Sequence, residues 1–133
     1  MPSKRSPTER TLKWLRDQGY IADVVERRIP HSFVTHDFCG FADIIAYKAL
    51  PIVGADLPIP LGETVAVQTT SGPHAAERLQ KVRMEPRAKA WLACGNRILV
   101  IGWAKRGREG ARKLWTPSLV WLDYTGQTET TDG

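Results

Sequence analysis

From Ser6 onward, short apolar runs alternate with turn residues, and each run has an assignable period. Ser6-Pro7-Thr8-Glu9 has the make-up of a helix start, with Ser as cap, Pro at the first helical position and Glu at the third. Leu12, Trp14 and Leu15 give this helix an apolar side, and Gly19 stops it. Ile21 to Ile29 reads as a strand, irregular because Val24 and Val25 run into charged residues, and Pro30 ends it. His31 to Cys39 is a connection or hairpin return into Gly40. Asp43 to Tyr47 is a short, apolar, buried strand, and Thr64 to Thr69 is the next one. Between them Pro51, Gly54, Pro58, Pro60 and Gly62 make Leu50 to Gly62 a loop.

A second helix starts at Ser71-Gly72-Pro73, with Ser71 or Gly72 as its cap and Ala75, Leu79 and Val82 at helical spacing. Pro86 breaks or kinks it. Helix resumes over Arg87 to Cys94, with Ala88, Trp91 and Leu92 inward and Gly95 as cap. Arg97 to Trp103 is an apolar strand, and Gly107 and Gly110 mark a basic loop. Lys113 to Trp115 and Leu119 to Leu122 read as short edge strands. The order is helix, three strands, crossover helix, strand, then additions. It predicts an α/β fold, a mixed central β-sheet flanked by helices. One domain spans 1–133: a core over 6–103, a basic loop with short strands over 104–125, and a polar, frayed tail over 126–133.

Composition narrows the class. At 133 residues, 42% hydrophobic and 25% charged, the chain has the balance of a globular domain with its own core. It shows no apolar run of membrane-spanning length and no secretory signal, so a soluble, cytoplasmic protein without a membrane partner is expected. Cys39 and Cys94 lack metal-site or disulfide-framework spacing and read as free thiols. A net charge of +5 favours a polyanionic partner, chiefly nucleic acid. Lys4, Arg5, Arg10, Lys13 and Arg16 crowd the N-terminus. Lys105, Arg106, Arg108, Arg112 and Lys113 crowd one short segment, where phosphate contact explains a cluster of like charges better than folding does.

The chemistry sits in Gly40-Phe41-Ala42-Asp43-Ile44-Ile45-Ala46-Tyr47 and Thr64-Val65-Ala66-Val67-Gln68-Thr69-Thr70-Ser71. Asp43 opens one apolar run. Gln68 and Thr70 end the other, two apart and so on one face of a strand. Neighbouring strands bring Asp43, Gln68 and Thr70 to one point. A carboxylate beside polar oxygens suits a hard divalent cation such as Mg²⁺.

This arrangement resembles the core of the PD-(D/E)XK nuclease superfamily, including its small phage-type and Holliday-junction-resolvase-like members, with Gln68-x-Thr70 in place of the usual Glu-x-Lys. The resemblance covers residues 6 to 103 and implies a restriction-endonuclease-like core. It further implies Mg²⁺- or Mn²⁺-dependent hydrolysis of DNA phosphodiester bonds, on double-stranded or branched DNA. Asp43 matches the motif Asp, Gln68 the Glu/Gln position and Thr70 the Lys position. Glu9 matches the first-helix Glu that resolvases use as an extra metal ligand. Metal ligands would then be Asp43, Gln68 and Glu9, and Lys81 or Arg78 on the following helix would replace the missing Lys. A homodimer follows by the same analogy, since a four-way junction has twofold symmetry.

Each residue also has a plainer reading. Asp43 could cap a turn after Gly40. Glu9 completes a capping box, Gln68 could be a satisfied core amide, and Thr70 an ordinary strand end. Lys81 reads as a solvated helix face; Glu26 could reach a metal from the first strand or be a solvated strand face; His36 beside Asp37 suggests a general base or is a surface-loop histidine. Trp14, Trp91 and Trp121 fit core positions. Trp103 and Trp115 bracket the basic loop, where they either pack or offer rings to bases. Two further functions stand beside the nuclease: a weakened nuclease fold that binds nucleic acid without cutting, and a small protein-interaction or inhibitor module.

Overall fold

A computed structural model describes residues 6–32, 34–49, 62–125 and 130–132. Helix α1 is Pro7–Asp17, capped as expected: the Glu9 backbone N–H donates to Ser6 Oγ at 3.2 Å. At its far end the N–H groups of Gly19 and Tyr20 donate to the carbonyls of Arg16 and Leu15, closing the last turn. Strand β1 (Ile21–Val24) follows. The expected single strand then breaks at Val25 and Glu26, whose N–H groups both donate to the Asp43 carbonyl. Beyond the break, β2 (Arg27–Arg28) and β3 (Thr35–His36) form a separate two-stranded hairpin, the return predicted for this stretch.

Strands β4 (Ile44–Ala49) and β5 (Gly62–Ser71) pair antiparallel; of the loop expected over Leu50 to Gly62, residues 50–61 lie outside the described residues, and Gly62 instead opens β5 opposite Ala49. A 3-10 turn over Gly72–His74, helix α2 (Ala75–Met84) and helix α3 (Pro86–Ala93) make the crossover to β6 (Arg97–Arg106), which is parallel to β5. Pro86 separates the two helices, as its chemistry requires. Gly102 on β6 lets this crossover lie close. A Cβ there would meet the Ala75 Cβ at 2.9 Å and the Gly72 Cα at 3.3 Å.

Strand β7 (Leu114–Leu122) is one element, not the two short strands expected. It pairs with β6 along its whole length. Pro117 is tolerated because β8 (Thr130–Asp132) covers only Ser118 to Val120, leaving Pro117 on the open edge. Residues 130–132, expected to fray, thus extend the sheet. The result is a mixed sheet in the order β1-β4-β5-β6-β7-β8.

Strand alternation divides the core. Leu15 of α1 packs with Ile44, Val65, Val67, Leu99, Ile101 and Trp103 on one face. Val82 of α2 and Ala88 of α3 pack with Phe41, Ala66, Ile98 and Val100 on the other. The molecule is therefore an α/β sandwich of helix, sheet and helices. No helix among the described residues is long and apolar enough to cross a membrane.

Candidate metal centre and its surroundings

Asp43 immediately precedes β4, and its backbone N–H donates to the Val67 carbonyl at 2.9 Å, continuing the β4–β5 ladder. That ladder places Asp43 opposite Gln68, on the face covered by α2. The Gln68 Nε2 donates to Asp43 Oδ2 at 2.7 Å, and the Thr69 N–H donates to the same oxygen at 2.9 Å. Both Asp43 and Gln68 are buried. The expected meeting of these two side chains on adjacent strands is thus present.

Two further carboxylates join Asp43. Ligand oxygens of Glu26, Asp37 and Asp43 all lie within 4.8 Å of one another. They arrive from separate segments. Glu26 precedes β2 and Asp37 follows β3, so they stand one step beyond the Arg27–His36 pair, at the two feet of the hairpin. Burial pushes the Asp43 carboxyl up to about 8, helped by the hydrogen bond its protonated form donates to Asp37 and by the charges of Asp37 and Glu26, and opposed by the Thr69 N–H. A cation would relieve the same strain that the proton relieves. Gln68 Oε1 is buried and makes no hydrogen bond, leaving an oxygen with unused lone pairs beside the carboxylates. The three carboxylates together could hold a metal ion.

The cluster opens into a cavity of about 850 Å³ lined also by Thr70, Arg78, Lys81, Glu85 and Arg87. Lys81 Nζ lies 3.9 Å from Asp37 Oδ2. Arg87 is held by Glu85, and its Nη2 would stand 2.6 Å from a Cβ at Gly40, where φ is +77°. Gly40 therefore satisfies both the backbone and the guanidinium that crosses it. Beneath the site, Thr11 Oγ1 and Thr69 Oγ1 hydrogen-bond at 2.8 Å, and the Trp103 indole donates to Thr11 at 2.9 Å. This buried network fixes α1 against β5 directly below Thr69, one of the donors to Asp43.

Asp43, Gln68, Thr70, Lys81 and Arg78 thus share one cavity. Glu9 does not join them. Only Pro7 and Thr8 of its turn reach the cavity, and Glu9 borders a separate depression with Leu12, Lys13, Arg16 and Asp17. Glu9 is exposed outside the cavity, and Asp37 and Glu26 stand beside Asp43 in its place. Glu26 thus has the reach to a metal that its place on the first strand allows, whereas Asp37 reads from sequence only as a loop neighbour of His36, because strand period carries no sign of which loop returns to the sheet. The available signal is their equal spacing from the point between His31 and Ser32, which an antiparallel hairpin converts into a pair.

The basic segment divides between elements. Lys105 and Arg106 end β6, while Arg108, Arg112 and Lys113 lie before β7, all exposed. Because β5 and β6 are parallel with Ser71 beside Trp103, this hairpin leaves the sheet at the same end as the cavity. Trp103 is a buried core residue and offers no ring to a partner. Trp115 is 44% exposed, with the Arg10 guanidinium 4.0 Å from its ring centre.

Fold and site together define an α/β domain with an acidic, cation-ready cavity at one end of its sheet. Comparison with protein-family models, curated proteins and solved structures returns no match to any of them.

Proposed function

We propose that the protein is a metal-dependent nuclease that hydrolyses DNA phosphodiester bonds. The observation that carries this reading is the convergence of Glu26, Asp37 and Asp43 within 4.8 Å in a cavity that also holds Lys81 and Arg78. Clustered carboxylates with cations lining the same cavity suit a phosphate that must be both held and attacked. Asp43, Asp37 and Glu26 would hold Mg²⁺ or Mn²⁺, with Gln68 Oε1 as a neutral fourth donor. When bound, the ion supplies polarisation of the phosphoryl oxygens and an activated water.

The chain's own residues do the rest. Gln68 and the Thr69 N–H orient Asp43 through its Oδ2. Lys81, held near Asp37, takes the place of the absent motif lysine and neutralises charge developing on the phosphate. Arg78 and Arg87 border the cavity and hold the flanking phosphates. Thr70 presents a hydroxyl to the same space.

The test is cleavage of labelled duplex and four-way-junction DNA in Mg²⁺, in Mn²⁺ and in EDTA. Cutting is expected in at least one metal, with loss in EDTA and in Asp43→Asn. A second reading, a fold that binds DNA without cutting, is favoured by the neutral Gln68 and Thr70 at the motif positions. It replaces the first if wild type cuts in neither metal and Gln68→Glu does not restore cutting.

A further inference from the structure

The β2–β3 hairpin belongs to neither sandwich layer. It is a separate two-stranded sheet whose ladder is only Arg27–His36 and Arg28–Thr35, too short to be stable for its own sake. Its exposed strand residues are nevertheless Arg27, Arg28, Thr35 and His36. Arg27, Arg28, Ile29, Pro30 and His36 line a depression of about 400 Å³, and His36 also borders the main cavity. The cationic surface of the hairpin thus runs without a break into the acidic site.

Its position follows from topology. Val24 pairs with Ile44, so β1 ends, and the hairpin grows, at the end of the sheet where Asp43 begins β4. The β6–β7 hairpin leaves the same end on the far side of β5. The cavity therefore lies between two basic hairpins.

We propose that the β2–β3 hairpin is a second nucleic-acid-binding arm, in which Arg27 and Arg28 contact backbone phosphates and lead the strand across the Glu26–Asp37–Asp43 cavity. Arg28 already braces the turn, its Nε donating to the Ser32 carbonyl at 3.3 Å, so its charge is carried on a fixed stem. Arg27, opposite His36, is on the other face of the ribbon. The two arginines thus offer contacts on both sides of a narrow ribbon, a geometry suited to following a phosphate backbone. This arm deepens the nuclease reading but requires only that the protein bind nucleic acid.

The experiment is fluorescence-anisotropy titration of a labelled DNA duplex with the full chain, in EDTA so that no cleavage occurs, across a range of salt. Arg27→Gln/Arg28→Gln should weaken binding about tenfold at low salt and reduce the slope of log K against log salt by about 2. Arg27→Gln alone should reduce the slope by about 1, which guards against a double variant that merely unfolds the hairpin. Lys89→Gln, an equal charge change on α3, should leave the slope unchanged. The proposal is overturned if both arginine variants bind as wild type does, if Lys89→Gln weakens binding as much, or if wild type binds no DNA, which would point to an acidic protein surface instead. Loss of cutting with this binding pattern intact would sink the nuclease reading alone.

Discussion

Asp43 is the residue where burial and charge oppose each other most directly. In the unfolded chain its carboxyl titrates near 3.8, whereas in the fold burial and Asp37 raise it to about 8. Between these values the native state holds a proton that the unfolded chain has lost, so stability falls as pH rises. Metal-free wild type should therefore lose melting temperature relative to Asp43→Asn from about pH 4 to about pH 8, as calorimetry in EDTA would read. A constant difference between the two proteins across that window would contradict the assignment. Divalent ion added at pH 8 should recover the lost stability of wild type and leave Asp43→Asn unmoved. Gly40 is the second sensitive position. Alanine there must take φ +77° and push against Arg87, and should cost about 1–2 kcal/mol in urea denaturation. The pairing of Asp43 with Gln68 was legible because a period of two fixes the face of every strand residue. The full rise in the Asp43 pKa was not, because beyond burial it draws on two carboxylates whose position depends on a hairpin register.

At the scale of elements, the question is which one supplies the cation. Thr70 on β5 occupies the motif position without a charge, and Lys81 on α2 stands near Asp37. If Lys81 fills the role, Lys81→Ala should reduce the cleavage rate about 10²–10³-fold, as loss of one charge-stabilising donor does, while Thr70→Lys should change it little. The reverse result would return the role to β5. Lys81 lies about three turns along the helix that follows β5, so helical spacing alone does not bring it to the end of that strand. The hairpin changes that distance by bringing Asp37 up towards α2, a long-range effect that helical spacing cannot show. In the proposed reading the same hairpin would link two binding events. Its feet carry Glu26 and Asp37 and its strands carry Arg27 and Arg28, so phosphates that steady the arm also steady two metal ligands. Calorimetric titration of Mn²⁺ should give tighter binding in the presence of a non-hydrolysable phosphorothioate duplex, by a factor of about 5–150, and Arg27→Gln/Arg28→Gln should abolish that gain. Equal Mn²⁺ affinity with and without duplex would leave the feet rigid and the two events independent.

For the whole molecule, the decisive feature is how charge is distributed about the sheet. A net charge of +5 says only that a polyanion is a favourable partner. Topology adds direction: the C-terminal ends of β5 and β6, the start of β4, the N-terminus of α1 and both basic hairpins meet at one end. The α/β class and the order of the main elements could be read from apolar runs and their breakers. The continuous β7 and the return of 130–132 as β8 could not, because each is stabilised by a partner strand rather than by its own sequence. The five cations of the β6–β7 hairpin are exposed, and bound phosphates would relieve the repulsion among them. Neutralising Lys105, Arg108 and Lys113 to Gln should therefore leave the melting temperature nearly unchanged. DNA binding should weaken across all sequences, with the salt slope falling by about 2–3, since each released phosphate contact contributes about 0.9. If the slope holds while Arg27→Gln/Arg28→Gln lowers it, nucleic acid enters over the β2–β3 arm alone. If both sets lower it additively, the strand spans the two hairpins and passes between them, over the carboxylates.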